Sequence, residues 1–361
     1  MDTTDPDIRF DEKGVCSHCH AYDASILSEP YLRKKAPGAL ERLSKAVKKE
    51  GTGKPYDCII GVSGGVDSTY TAYIVKKMGF RPLAVHLDNG WDSELAVSNI
   101  EKTLKKLGID LYTYVLDWQE FRDLQIAFLK ASTPDSEIPT DHAILAVLYM
   151  VAVLKNVRFI LSGHNTATEA GGVASWSQGH ADWRYIRNIQ KMFGTMQLKS
   201  FPRYGPLRFI YYTLVRRIRW IPILDYFEYN KKEAMELIQK ELGWKYYGAK
   251  HYESIYTRFY QGYILQRKFG FDKRRCHLSS LIWSGQLSRQ AALEEISKSD
   301  YSLELQKQDM EFVLKKLEMT SGEFERIISQ ETKSFWDYPS YKRMVYNHKW
   351  ILSAYHSLKR E

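Results

Sequence analysis

The sequence has few cysteines and no long uninterrupted apolar run. Its 361 residues contain four cysteines, unevenly placed, which excludes a disulfide scaffold and favours a reduced, cytoplasmic protein. No apolar segment follows Met1, so we expect no signal peptide. We also expect no membrane span, because the most apolar stretch, 207–224, is interrupted by Arg208, Arg216, Arg217 and Arg219. That stretch is predicted to be either a partly buried helix or a segment that holds a partner or lies on a membrane interface.

The composition is that of an ordinary globular protein with a basic excess. Apolar residues make up 44% and charged residues 26%, which excludes a disordered or fibrous chain. Lysine and arginine number 52 against 43 acidic residues, giving a formal charge of +9. This excess indicates an anionic partner but does not distinguish nucleic acid, a membrane surface and an acidic small molecule.

Apolar runs alternate with helical patterns in the first half of the chain. We predict strands at 57–62, 82–87, 111–116 and 158–162, and helices at 69–78, 93–107 and 141–154. This alternation predicts an α/β fold with a parallel sheet and helices on both faces. Three parts are expected: an N-terminal CxxC segment and helix (1–50), an α/β domain (51–200) and a mainly helical substrate or partner region (201–361).

A glycine-rich loop follows the first predicted strand and precedes a helix. It reads Ser63, Gly64, Gly65, Val66, Asp67 and Ser68. Glycines let the backbone approach an anion, and the N-terminus of the next helix favours phosphate. Asp67 would hold Mg²⁺ bridged to phosphate oxygens. The loop lacks the Gly-Lys-Ser/Thr of a Walker A motif. The plain structural alternative is a serine-capped glycine turn.

This loop resembles the pyrophosphate loop of the ATP pyrophosphatases, also called the PP-loop or adenine nucleotide alpha hydrolase-like superfamily. Two later strand ends are similar to segments that face ATP in that superfamily. The resemblance implies ATP and Mg²⁺ as cofactors. It adds a further set of nucleotide-binding candidates: Asp88, Asn89, Gly163, His164, Asn165 and Glu169.

Longer segments resemble a narrower family, the N-acetyl sugar amidotransferases of bacterial surface-polysaccharide biosynthesis, including O-antigen and lipopolysaccharide. The segments are 5–16 with Cys19, 242–244, 250–254, 269–275 and 277–280. The family resemblance implies conversion of an acetamido group on an acidic or nucleotide-linked sugar into an acetamidino group, with release of AMP and pyrophosphate. O-adenylation fits this chemistry, because an amide carbonyl is a poor electrophile.

Candidate residues for catalysis and substrate binding lie in the loop, in the segments that carry the resemblance and, outside them, at Asp141 and His142. The catalytic candidates are Asp67, Ser68, Lys250, His251 and Glu253, and the substrate-binding candidates are Asp141, His142, Lys273, Arg274, Arg275 and His277. Lysine and arginine suit a sugar carboxylate or diphosphate. The alternatives are a solvated basic turn for 273–277 and a helix N-cap at Thr140 or Asp141.

No cysteine has the surroundings of a glutaminase nucleophile, so a separate glutaminase subunit is expected to supply ammonia. Cys16 and Cys19 have the spacing of zinc ligands, but one CxxC is half a structural site. His18, His20 or Cys276 would complete it. The alternative is a pair of reduced surface cysteines.

A PP-loop enzyme that modifies tRNA, of thiolase or lysidine type, is the second reading, since it would share the loop and explain the basic charge. It is less favoured because no cysteine follows the fourth-strand loop and no RNA-binding module is recognisable. We therefore expect no nucleic-acid partner. A non-catalytic nucleotide-binding protein is the third reading.

Overall fold

The computed structural model describes residues 1–248, 252–298 and 301–347. Its centre is a five-stranded parallel sheet in the order β3-β2-β1-β4-β5. The strands are β1 (Cys58–Gly61), β2 (Pro82–Asp88), β3 (Asp110–Val115), β4 (Phe159–Ser162) and β5 (Arg219–Pro222). From the central β1, the chain adds β2 and β3 on one side and then β4 and β5 on the other. A crevice for a ligand is expected at this reversal, beyond the carboxyl ends of β1 and β4.

Helices cover both faces of the sheet. The first nine are α1 (Ser17–Ile26), α2 (Glu29–Lys35), α3 (Ala39–Glu50), α4 (Val66–Lys77), α5 (Glu94–Leu107), α6 (Trp118–Lys130), α7 (Ile138–Leu154), α8 (Thr166–Glu169) and α9 (Trp183–Phe193). Side chains of α3, α4 and α5 pack with Cys58 and Ile60 of β1, whereas α7 packs with Ile59 on the opposite face. The alternation of side chains along a strand explains this division.

The C-terminal region is mainly helical. It contains α10 (Pro206–Ile210), α11 (Lys231–Leu242), α12 (Ile255–Phe259), α13 (Arg274–Trp283), α14 (Arg289–Ser297), α15 (Leu303–Leu317), α16 (Ser321–Ser329) and α17 (Tyr341–Asn347). A π-helical run, Tyr260–Phe269, continues α12. Helices α12, α13, α15 and α16 and the π-helical run share a large core with α6 and α9 in which Phe128, Tyr185, Phe259 and Phe324 are fully buried.

The predicted α/β fold with a helical C-terminal region is confirmed. Each of the four predicted strands and three predicted helices is present, with ends displaced by at most three residues. The helix predicted from residue 69 begins at Val66, inside the glycine-rich loop.

The apolar stretch 207–224 is not one helix, so that expectation was wrong. It contains most of α10, a π-helical turn (Tyr211–Val215), then β5 and a 3₁₀ turn (Ile223–Tyr226). Pro222 is tolerated in β5 because this strand lies at the edge of the sheet. The sheet therefore continues past residue 200, while the three-part division of the chain stays a prediction. Among the described residues, no helix is long and apolar enough to cross a membrane.

Candidate functional site

The glycine-rich loop joins β1 to α4 and approaches a neighbouring backbone closely. Gly64 has φ +80°, and a Cβ there would lie 2.7 Å from the Ala96 carbonyl oxygen of α5. A side chain at this position would therefore be strained in its backbone and would clash. Ser68 Oγ donates to the Gly65 carbonyl at 3.1 Å and lies 3.3 Å from Ser63 Oγ. Two hydroxyls are thus held beside the start of α4, where the helix dipole favours an anion.

The C-terminal region braces this loop. Trp244 Nε1 donates to the Gly64 carbonyl at 2.8 Å, and the Tyr229 hydroxyl donates to Asp67 Oδ1. Burial, followed by the negative charge of Asp67, raises the pKa of Tyr229 far above its usual value, so the phenol stays a donor. Asp67 therefore has a fixed orientation at the first turn of α4.

Residues 253–255 run beside the segment that follows β2. Ser93 N donates to the Glu253 carbonyl at 2.8 Å, and Ile255 N donates to the Trp91 carbonyl at 2.9 Å. This pairing places the Glu253 side chain at the loop, where a Cβ on Gly65 would lie 3.3 Å from Glu253 Oε1. Of the three catalytic candidates predicted at 250–253, Glu253 is the one that lies within the described residues. Lys250 and His251 lie outside the described residues.

A recess of about 470 Å³ lies at the carboxyl ends of β1, β2 and β4. Its apolar wall is formed by Val62, Val85, Leu148, Ile160 and Trp220. Polar side chains at its rim include Ser63, Ser68, Asn89, His164 and Glu169. Such a recess suits a flat, mainly apolar ring with a polar group at one end.

The recess opens into a smaller hollow of about 200 Å³ at the glycine-rich loop. The hollow is lined by the loop, Gly163, Lys231 and three carboxylates, those of Asp67, Glu169 and Glu253. Mg²⁺ in nucleotide sites is held by one or two carboxylates together with phosphate oxygens, and these residues fit that requirement. A bound Mg²⁺ would neutralise charge on phosphate oxygens there.

The other predicted nucleotide-binding residues have different surroundings. Gly163 has no room for a side chain, since a Cβ would lie 2.9 Å from the Asp67 carbonyl oxygen. His164 Nδ1 is 2.6 Å from Glu169 Oε2, a close pair at the mouth of the hollow. Asn165 is buried and caps α8 by accepting from Thr168 N at 2.9 Å. Asp88 accepts from Gly90 N at 2.8 Å and lines a separate cleft beside α5.

A third cavity, which we call the side pocket, has a volume of about 490 Å³ and shares His164, Glu169 and Lys273 with the sites above. Its remaining side chains include Trp176, Ser177, His180, Cys276, His277 and Ser280. Lys273 Nζ lies 3.3 Å from Glu137 Oε2. Burial opposes its charge, but Glu137 and Asp141 outweigh this effect and raise the pKa of Lys273. A retained positive charge therefore faces the place where the cavities meet.

The structure places only part of the predicted substrate set around the cavities. Lys273 and His277 line the side pocket, and Asp141 lines the recess with its carboxylate 3.3 Å from His180 Nε2. Arg274 is bound to Asp272 and to the carbonyls of Ile296 and Lys298 at the end of α14. Arg275 pairs at 2.6 Å with Asp2.

His142 is a core residue. It is fully buried, its Nδ1 lies 2.8 Å from the His180 carbonyl oxygen, and its Nε2 accepts from Tyr204 N at 2.9 Å. Burial lowers the pKa of His142 to about 4, so the ring is neutral near pH 7. It supports the wall behind Asp141 and does not line the cavities described above.

The predicted zinc pair lies at the start of α1. Cys16 and Cys19 have sulfur atoms 3.4 Å apart, while His18 and His20 are bonded to Asp5 and Asp11. Over residues 1–248, 252–298 and 301–347, no three or more His, Cys, Asp and Glu side chains form a group that could hold a metal. Zinc at Cys16 and Cys19 therefore stays a prediction.

Several residues that line the cavities were missed from the sequence, Glu137, Trp176, His180, Lys231 and Tyr247, and so was Tyr229, which contacts the site through Asp67. Tyr247 has a pKa raised far above its usual value by burial and then by Glu253, to which it is hydrogen bonded. The sequence contains 25 tyrosines, so aromatic character alone could not single out Tyr229 and Tyr247. Only the distance from Tyr229 to Asp67 in space distinguishes it.

The fold and loop define a parallel α/β protein with a phosphate-type loop at its central strand and a helical C-terminal region. Residues 253–352 of that region match the family described as "LPS biosynthesis protein WbpG-like, C-terminal domain". This match confirms the resemblance to surface-polysaccharide proteins predicted from the sequence.

Curated relatives match shorter parts of the chain. The tRNA-specific 2-thiouridylase MnmA 2 of Fusobacterium nucleatum is 28% identical over 124 residues, covering 32% of this chain and 36% of that protein. The glutamine-hydrolysing GMP synthase of Pyrobaculum aerophilum is 27% identical over 216 residues, covering 55% of this chain and 39% of that protein. The chain thus spans well under half the length of these relatives. Their similarity confirms the predicted resemblance to PP-loop proteins.

Among solved structures, the NH3-dependent NAD synthetase of Campylobacter jejuni aligns over 73% of this chain and 96% of that chain. The identity is 12% and the TM-score is 0.32.

Proposed function

We propose that the protein is an ATP-dependent amidotransferase that acts on an acidic or nucleotide-linked N-acetyl sugar. One observation carries the proposal: three cavities meet in a chain whose C-terminal region matches a WbpG-like domain. The loop hollow, the recess and the side pocket share His164 and Glu169, and Lys273 lies where the recess and the side pocket meet. The hollow suits the phosphates of ATP, the recess suits adenine, and the side pocket suits the sugar. The acetamido group would then lie at the junction, beside the α-phosphate.

The proposed reaction has two balanced steps. In the first, the acetamido carbonyl oxygen forms a bond to the α-phosphorus of ATP, and the bond to pyrophosphate breaks. In the second, ammonia adds to the activated carbon, and the original oxygen leaves with AMP, giving an acetamidino sugar. Ser68 and the backbone at the start of α4 would stabilise charge on the departing pyrophosphate. Asp67 would hold Mg²⁺, which would supply positive charge to stabilise the pyrophosphate as it departs.

Lys273 would bind the anionic part of the sugar. Its ammonium lies at the junction and keeps its charge because Glu137 and Asp141 raise its pKa despite burial. A carboxylate or phosphate brought close to it would form a charge-assisted hydrogen bond. Trp176 lines the same pocket but is buried and stacks on Phe271, so its indole would form a fixed part of the pocket wall.

Ammonia would come from a separate glutaminase subunit. Cys58 lies fully buried in β1, and burial raises the pKa of its thiol well above the usual value, so it is unsuited to nucleophilic attack. Cys16 and Cys276 are also buried, and partial burial and the neighbouring Cys16 raise the pKa of the Cys19 thiol. The four cysteines therefore give no support to glutamine hydrolysis by this chain.

Incubation of the full chain with ATP, Mg²⁺, ammonium and candidate sugars tests the proposal. The acetamido oxygen of the sugar is labelled with a heavy isotope, and the products are analysed by mass spectrometry. We expect NH in place of oxygen in the sugar and the heavy oxygen in AMP. Formation of AMP without the label, or of ADP, would contradict adenylation of the acetamido group. A neutral N-acetyl sugar of the same ring size is the matched substrate control.

The second candidate is modification of tRNA, favoured by the similarity to MnmA 2. It predicts that tRNA, and not an acidic sugar, stimulates AMP formation and becomes chemically altered. Stimulation by tRNA together with inert sugars would replace the sugar amidotransferase with this second function.

A further inference from the structure

One long stretch of the chain has no acidic residues. Between Trp183 and Leu224 there is no aspartate or glutamate, and the basic residues number nine, equal to the formal charge of +9 of the whole protein. They are Arg184, Arg187, Lys191, Lys199, Arg203, Arg208, Arg216, Arg217 and Arg219. The positive excess is thus concentrated on one surface segment.

The inner side of this segment is firmly packed. Tyr204, Tyr212 and Ile218 are buried, and the ring of Tyr212 stacks on Tyr149 of α7 with centroids 5.1 Å apart. Beneath the preceding turn, the buried carboxylates of Glu120 and Asp123 accept backbone N–H groups from residues 195–201. Acidic groups are therefore held inside, whereas the basic side chains lie outward.

The outer side of residues 203–219, which we call the platform, combines basic and aliphatic side chains. Leu207, Leu214 and Val215 are exposed by 84%, 70% and 66%. Phe209, Ile210 and Tyr211 are also exposed, and Arg203, Arg208, Arg217 and Arg219 are exposed among them. Several exposed apolar side chains within one short segment that is packed firmly beneath indicate an interaction site.

We propose that the platform docks on the surface of an anionic lipid bilayer. Arginines in a stretch of sequence that has no acidic residues complement a negatively charged headgroup layer, and the leucines and aromatic rings between them suit the boundary with the acyl chains. A nucleic acid would satisfy the arginines but would leave the aliphatic side chains unpaired. The membrane is therefore the occupant that satisfies both halves of the platform.

The test measures co-sedimentation of the full chain with vesicles of phosphatidylglycerol and phosphatidylcholine in equal parts, and with vesicles of phosphatidylcholine alone. We expect binding to the anionic vesicles only, weakened by salt. The double variant Arg208→Glu and Arg217→Glu should bind anionic vesicles about tenfold more weakly, or weaker still. Leu207→Ser with Leu214→Ser should also weaken it, by roughly tenfold, through loss of apolar burial.

Matched controls lie elsewhere on the surface. Leu303 is 82% exposed on α15, and Lys49 and Lys102 are exposed on α3 and α5. Leu303→Ser, and Lys49→Glu with Lys102→Glu, should leave vesicle binding unchanged. Thermal unfolding midpoints verify that all variants fold.

Three results would overturn the docking proposal. They are failure to bind anionic vesicles, equal weakening by the control variants, and binding of tRNA that depends on the arginines but not on the leucines. Because vesicle binding is measured without substrates, the result is separate from the fate of the proposed enzymatic function.

Discussion

The glycine-rich loop and the side pocket are neighbours in space but are built in opposite ways. The loop is six consecutive residues that follow one strand and continue into the first turn of one helix, and its shape follows from Gly64 and from hydrogen bonds within the loop. The side pocket draws on α8, the loop that follows α8, and α13, more than a hundred residues later. A local motif can be recognised in a sequence, whereas a dispersed pocket exists only after folding.

The comparison also separates what the two halves would do. The glycine-rich loop has the glycines, hydroxyls and helix N-terminus that many nucleotide-binding proteins need. The side pocket has the side chains that would distinguish one sugar substrate from another. Changes in the loop should therefore abolish turnover of every substrate, and changes in the side pocket should alter the preference among substrates.

The largest effect is expected from Asp67→Asn. This change keeps the size of the side chain but removes the charge that would hold Mg²⁺, so AMP formation should fall by roughly a thousandfold. The measurement is the initial rate of AMP release at saturating ATP, with circular dichroism as the check on folding. Turnover close to that of the wild type would remove Asp67 from the reaction.

Tyr229→Phe is the matched control for Asp67. It removes the hydroxyl that donates to Asp67 but keeps the carboxylate. We expect a higher Mg²⁺ concentration for half-maximal rate, with a much smaller loss of rate at saturating Mg²⁺. An identical loss in both variants would mean that Asp67 acts through the fold and not through the metal.

The next effect concerns stability and arises from His142. Its pKa is about 4 in the folded protein, against about 6.5 in the unfolded chain, so the unfolded state binds the extra proton between these values. This difference should lower the free energy of unfolding by about 3 kcal/mol as the pH falls from 6.5 to 4.

Comparison with His142→Gln isolates this effect. Burial raises the pKa of Asp135 to about 6, and protonation of Asp135 on folding opposes the loss in the same pH range. Asp135 makes this contribution in both the wild type and His142→Gln, so it cancels when their free energies of unfolding are subtracted. Urea unfolding at several pH values should show a gap between them that narrows toward acid pH. A constant gap would contradict the buried neutral histidine.

The smallest effect distinguishes two adjacent cations. Lys273→Met should raise KM for the acidic sugar by about tenfold, since one charge-assisted contact is lost, and should leave KM for a neutral analogue unchanged. Arg274→Met should leave both KM values unchanged and lower the unfolding midpoint, because Arg274 holds α14 through Asp272 and two carbonyls. The reverse pattern would exchange the roles assigned to the two side chains.

The fold of the first half was predictable because its buried strands are visible in the sequence as short apolar runs. Ile59 and Ile60 are fully buried, and an apolar run with glycine on its far side predicts such a strand. β5 was not predictable in the same way, because its exposed Arg219 and its terminal Pro222 resemble the end of a helix more than a strand. Pairing with β4 forms it, and that pairing is a tertiary contact.

The candidate site was predictable to a similar degree. The loop was predicted from serine, glycine and aspartate between an apolar run and a helical pattern, whereas Lys273 came from the segment that resembles the sugar amidotransferases. The structure places both beside the cavities, and their roles in binding stay predictions. Arg274 and Arg275 have the same chemistry as Lys273, yet helix α13 directs them to Asp272 and Asp2. His142 shows the same limit, since a buried and a binding histidine look alike in a sequence.

The pairing of residues 253–255 with 91–93 has a consequence for engineering. The region that matches the WbpG-like domain begins at residue 253, so an exchange of this region between relatives would cut next to the hydrogen bonds from Ser93 and Ile255. A chimaera that keeps its own residues 91–93 would have to pair them with a 253–255 segment from the other protein, beside the loop. Transferring 91–93 together with the C-terminal region preserves these hydrogen bonds. The chimaera should then have the substrate preference of the protein that donated the C-terminal region.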